Sequence, residues 1–107
     1  MRLIEEQMNE AILDRKNFSK SNTMVRVYKE VVEVFLHGNL IASVDTATNN
    51  LTIFDGGWQS NTTKSRLNAL LHQFTYGGLG VIQKNWQWFL YDRDFNKTIP
   101  FISGMTV

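Results

Sequence analysis

The segment Gly56-Gly57-Trp58-Gln59-Ser60-Asn61-Thr62-Thr63-Lys64-Ser65-Arg66 joins a strand-like run to a helix-like one, and it holds the residues best placed for binding chemistry. The first turn of a helix presents unpaired N–H groups and a partial positive charge, which Asp or Glu complements and Lys or Arg opposes. Here Lys64 and Arg66 add positive charge at the positive end, while Gln59, Thr62, Thr63 and Ser65 add hydrogen-bonding side chains. That combination suits an anion or a phosphate. The competing reading is a helix capped by Thr62 or Thr63 with two solvated cations, because a misplaced surface charge costs only about 0.3–1 kcal/mol. Changing Lys64 and Arg66 together to Glu separates the two. Solvated cations leave the thermal midpoint level or slightly raised, whereas an anion site loses its ligand. A large fall would mean that one of them is buried against an internal carboxylate such as Asp55.

A second set lies in Gln83-Lys84-Asn85-Trp86-Gln87-Trp88. Strand alternation places Trp86 and Trp88 on one face and Gln87 on the other. Exposed, the indoles would form a platform on which unpaired bases stack, with Lys84 as a further cation; buried, they are core. Trp58 is open to the same two readings.

Catalytic parts are scarce. The histidines are His37, in a turn-like stretch, and His72, in a helix-like one, and neither has a recognisable partner. No H-E-x-x-H, phosphate-loop or G-x-S-x-G pattern occurs. Asp92 and Asp94 flank Arg93 after a strand-like run, where charged residues are ordinarily solvated turn. With no cysteine there is no thiolate nucleophile, disulfide, iron–sulfur cluster or Cys-based zinc site. We therefore expect no enzyme activity, no metal site and no cofactor.

The elements that must position these residues are short. Ile4, Met8, Ala11, Ile12 and Arg15 recur at helical spacing, with acidic residues early and Arg15 and Lys16 late, which predicts an amphipathic helix over 3–16. A polar connector follows, in which Phe18 is expected to fold back onto the core. Residues 23–55 are rich in β-branched and aromatic types. Turn signals at Lys29-Glu30, His37-Gly38-Asn39 and Thr48-Asn49-Asn50 divide them into strands near 24–28, 31–36, 40–45 and 51–55, an antiparallel meander. Leu67, Leu70, Leu71 and Phe74 mark a helix over 62–74 that ends at Gly77-Gly78. A hairpin and a Pro100-marked edge strand occupy 80–102. The fold class expected is α+β, mainly β: one domain over 1–107, built as a bent antiparallel sheet or a small open barrel with helices at its mouth.

The 107 residues suffice for one core, and 43% hydrophobic content is ordinary for a self-folding domain. A formal net charge of +1 gives no global field for nucleic acid or anionic membrane, so any polyanion site must be local. No run approaches the roughly 18 apolar residues of a membrane span, and the start lacks a signal-peptide pattern; we expect a cytoplasmic protein with no membrane partner. The uncovered sheet edges lead us to expect self-association.

Several phrases occur together, in order: Asn22-Thr23-Met24-Val25, Leu36-His37-Gly38-Asn39-Leu40-Ile41-Ala42, the segment from Gly56 to Asn68, Gln83-Lys84-Asn85-Trp86-Gln87-Trp88, and Ile99-Pro100-Phe101 with Gly104-Met105. In these the chain resembles a group of small proteins of marine bacteriophages, cyanophage-like, over most of its length. The resemblance implies a phage origin and residence in a bacterial host cell, and carries no activity with it. The order of a short helix and a bent meander also looks like the Sm-like plan of small RNA-binding rings, from which a second helix between strands departs. Our first expectation is a non-enzymatic module that binds single-stranded nucleic acid, preferably RNA, through Trp58, Gln59, Thr62, Thr63, Lys64 and Arg66, with Lys84 assisting. The alternatives are a module that binds a bacterial host protein, and a minor virion component.

Overall fold

Alternation of branched apolar and polar residues makes one face of each strand in the first half apolar, and those faces coincide. The computed structural model describes residues 1–107 and runs α1 (Leu3–Leu13), β1 (Phe18–Lys20), β2 (Thr23–Tyr28), β3 (Val31–Leu36), β4 (Asn39–Asp45), β5 (Asn50–Ile53), α2 (Asn61–Phe74), β6 (Leu79–Lys84), β7 (Gln87–Asp92), β8 (Lys97–Pro100) and β9 (Met105–Thr106). In the antiparallel register Val25 faces Val34, Val34 faces Ala42 and Ala42 faces Ile53, while Val27, Val32, Val44 and Leu51 make the next row. Cross-strand neighbours share a face. These rows form the sheet side of the core, and Met8, Ala11 and Ile12 of α1 with Leu67, Leu70 and Leu71 of α2 form its helical side.

The strands make two antiparallel sheets, β1-β2-β3-β4-β5-β9 and β6-β7-β8, with no closed barrel. The mainly β, α+β expectation holds, and the bent-sheet version of it is the one adopted. Between Val34 and Phe35 the β3–β4 register slips around Ile41, a bulge that bends the sheet and frees the Ile41 carbonyl to accept the Phe54 N–H at 2.8 Å. Closure fails because α2 leaves the sheet after β5 and the chain then builds the second sheet separately. Asn68 of α2 anchors that sheet: its Oδ1 accepts the Val81 N–H at 2.6 Å and its Nδ2 donates to the Val81 carbonyl at 3.2 Å. One amide side chain thus takes the place of a neighbouring strand at the edge of β6.

Three expectations are corrected. The first helix stops at Leu13 rather than 16, because Arg15 turns left-handed (φ +52°) and the Arg15 and Lys16 N–H groups close back on the Ile12 and Ala11 carbonyls. That is the Schellman ending, here without glycine, so Arg15 and Lys16 lie beyond the helix. The connector around Phe18 is itself a strand, β1, paired with β2, although Phe18 does pack against the core. After the edge strand the chain returns to the large sheet as β9, beside β5. No helix is long and apolar enough to cross a membrane.

Candidate nucleic-acid interface

Gly56 and Gly57, at φ +70° and +83°, turn the chain out of β5, and a Cβ at Gly56 would lie 3.2 Å from the Ile41 Cγ2. The turn is then pinned by hydrogen bonds. Asp55 accepts the Gly57 N–H at 2.8 Å and the Gln59 Nε2 at 3.3 Å, and the Trp58 carbonyl accepts the Ser60 N–H at 3.0 Å and the Thr63 hydroxyl at 3.4 Å. The helix cap is Ser60, whose Oγ accepts the Thr63 N–H at 3.1 Å. This corrects the assignment to Thr62 or Thr63: the cap needs a non-helical backbone, and Thr63 is already inside the helix. The result is a short, bonded loop that holds the Trp58 side chain 75% exposed.

Of the cations at this helix start, only Lys64 meets solvent. It is half-buried beside a cleft of about 500 Å³ shared with Asn61, Ser65 and Asn68. Arg66, 3% exposed, is directed inward. Its Nη1 donates to Glu5 Oε2 at 2.8 Å, its Nε to Thr23 Oγ1 at 3.0 Å and its Nη2 to Asn22 Oδ1 at 3.3 Å. Ser65 Oγ also donates to Glu5 Oε2, at 2.6 Å, and the Arg2 backbone N–H donates to Oε1 at 3.2 Å. Burial works to raise the Glu5 pKa, but the hydrogen bonds from Ser65, Arg66 and the Arg2 backbone, with the guanidinium charge, outweigh it and hold the carboxyl below its usual range. The positive charge that breaks the helix-terminus rule is thus neutralised by Glu5 of α1, not by Asp55, and Arg66 leaves the set of exposed binding residues. Thr63, also buried, leaves it too and serves the loop. Trp58, Gln59, Thr62, Lys64 and Lys84 remain at least partly exposed.

The two tryptophans of the second set do not share a face. Lys84 pairs with Gln87, so Asn85 and Trp86 form a two-residue hairpin turn, with φ +52° and +66°. Positive φ at both positions is the type I′ turn, whose second position favours glycine. The β3–β4 hairpin obeys this with His37-Gly38 (φ +52° and +79°). In the β6–β7 hairpin a tryptophan sits there, against a left-handed cost of about 1–2 kcal/mol, and it is 90% exposed. Trp88, 4% exposed, lies in the core cluster with its ring edge-on to Phe101 at 5.3 Å and 83°.

Trp86 and Gln59 come together across the gap between the α2 start and the small sheet. They line a cleft of about 370 Å³ with Ser60, Asn61, Gln83 and Trp88, and a second of about 360 Å³ with Phe89, Pro100 and Phe101 among its walls. Asn61 and Gln83 lie inside the two candidate segments without a role assigned to them, and Phe89 lies outside both. The pattern of alternate residues could have marked Phe89, whose strand neighbours Ile82 and Pro100 put it on the face that turns away from α2. His37 and His72 are both exposed and lie on separate elements, and no three His, Asp or Glu side chains converge in a way that could hold a metal ion.

A protein-family model described as "Kyanoviridae Gp96 protein" matches residues 1–107, the whole chain. The chain belongs to the Kyanoviridae Gp96 family. It is therefore a small phage protein, as its resemblance to the marine-phage group implied. No curated protein and no solved structure matches it. Membership in the Gp96 family fixes origin and brings no chemistry, so a functional reading must start from the clefts that Gln59 and Trp86 line together and from the exposed Trp58 beside them in sequence.

Proposed function

We propose that this phage protein is a non-enzymatic binding module for single-stranded nucleic acid, RNA being the first ligand to test, acting in the cytoplasm of the infected bacterial cell. The observation that carries this reading is the display of two indoles, Trp58 at 75% and Trp86 at 90% exposure, on hydrogen-bonded turns instead of in the core. Base–aromatic stacking contributes about 1–3 kcal/mol per base and tolerates any sequence. The amides of Gln59, Asn61 and Gln83 lie in the cleft beside Trp86 and can both donate to and accept from base edges. Lys84 adjoins the Trp86 turn, and Lys64 and Thr62 lie at the α2 start.

Few cations mean a shallow salt dependence. Each phosphate neutralised on a single strand adds about −0.7 to the slope of log K against log salt. With Lys84 and Lys64 engaged the slope is expected near −1.4, about twice that unit, and Lys84→Gln is expected to reduce it by about 0.7. Titration of labelled single-stranded RNA and DNA at several salt concentrations measures both, and no saturable binding at low salt removes the reading. The same indoles favour a second reading, a host-protein ligand, since interface centres favour Trp. A stoichiometric host protein that is still captured after nuclease treatment, together with no nucleic-acid binding, would select it.

A further inference from the structure

We infer that Trp86 divides two adjoining base-sized subsites, so that this face takes two consecutive unpaired nucleotides with the indole between them. This rests on the nucleic-acid reading and goes further by fixing the ligand's minimum length and the role of one residue. The two clefts that meet at Trp86 share Gln59, Trp86 and Trp88 as walls. Of the two shared indoles, Trp88 belongs to the core, and only Trp86 stands clear of it. At about 370 and 360 Å³ each cleft lies at the small end of the range for ligand sites, which suits one nucleotide rather than a longer stretch.

The clefts differ in chemistry. Ser60, Asn61 and Gln83 border the first and not the second, and hydroxyl and amide groups match the donor and acceptor edge of a base. Phe89, Pro100, Phe101 and Gln87 border the second and not the first, so a base there finds a shelf for its face with one amide beside it. One base therefore meets mainly hydroxyl and amide groups and the next mainly apolar walls, on either side of one ring.

The backbone supports the same residue independently. Trp86 holds a left-handed conformation that glycine fills in the other type I′ hairpin of this chain, and its side chain gains almost no burial in return. Strained conformations persist where function requires the side chain.

The test compares a mononucleotide, a dinucleotide and a longer mixed-sequence oligoribonucleotide on the full chain and on the Trp86→Gly and Trp86→Phe variants, with thermal midpoints from the same preparations. Asn-Gly is the favoured type I′ pair, so Trp86→Gly is expected to keep its midpoint or raise it by up to about 5 °C. Its affinity for the dinucleotide is expected to fall by about 25-fold or more, about five-fold for each stacked base, with Trp86→Phe keeping most of it. The dinucleotide is expected to bind about five-fold or more tighter than the mononucleotide. Equal affinity for the two, an unchanged affinity in Trp86→Gly, or a lowered midpoint there overturns the inference while the nucleic-acid reading stands. Failure of all three ligands to bind the wild-type chain removes that reading and the inference with it.

Discussion

Replacing Arg66 by Met is expected to cost about 3–5 kcal/mol of folding stability, a large share of the roughly 5–15 kcal/mol of a small domain. Arg66 is 3% exposed and Glu5 2%, and removing the cation leaves the carboxylate buried with only Ser65 and the Arg2 backbone to satisfy it. Urea or thermal unfolding reads the loss, which should exceed about 10 °C in midpoint; a loss below about 1 kcal/mol would place the pair among weakly coupled surface ions. The joint change Glu5→Leu with Arg66→Met is expected to recover most of the loss, since well-packed apolar replacements of buried pairs are often neutral or better. The same pair gives the protein an acid limit. An unfolded chain takes up the Glu5 proton near about pH 4.3, whereas the folded protein holds that carboxyl below its usual range. The pair's contribution is therefore complete above that pH and is lost as pH falls to the folded value. Unfolding midpoints measured from neutral to acid pH should show this decline. It should be shallower in Glu5→Gln, which starts lower because it leaves Arg66 unpaired.

Trp88→Ala is expected to cost about 3–5 kcal/mol as well, the opposite of the expectation for Trp86→Gly two positions earlier. Trp88 fills the core beside Val81 and Leu90 and meets Phe101 edge-on, so truncation leaves a cavity and removes an aromatic pair worth about 0.5–1.5 kcal/mol beyond its buried area. Because Trp88 also borders both clefts, its loss should weaken any ligand through the fold, which makes it unsuitable as a binding test. Thermal unfolding of the two variants side by side checks the contrast. Equal midpoints would mean that the two indoles are similarly placed.

Local pattern alone determined the middle of the two helices and of the longer strands, but not the short strands β1 and β9. Leu67, Leu70 and Leu71 at helical spacing, and the Val32, Val34, Leu36 alternation, describe faces that any compact arrangement must bury, so α2 and the meander were legible before any contact was known. The exposed loop was legible for the same reason, because Gly56-Gly57 and the Ser/Thr run can only be a turn leading into a capped helix. Tertiary structure decided what a one-dimensional pattern cannot carry. Arg66 looks like a surface cation until Glu5, 61 residues away in sequence, is folded against it, and burial and pairing reverse its meaning. Trp86 and Trp88 look equivalent by period-two alternation, but alternation ends where a hairpin turns. The register Lys84↔Gln87 puts Trp86 in the turn and Trp88 in the strand. The meeting of Trp86 with Gln59 across the gap between the α2 start and the small sheet depends on Asn68 docking β6 onto α2, a hydrogen-bond choice between distant elements that leaves no periodic trace in the sequence.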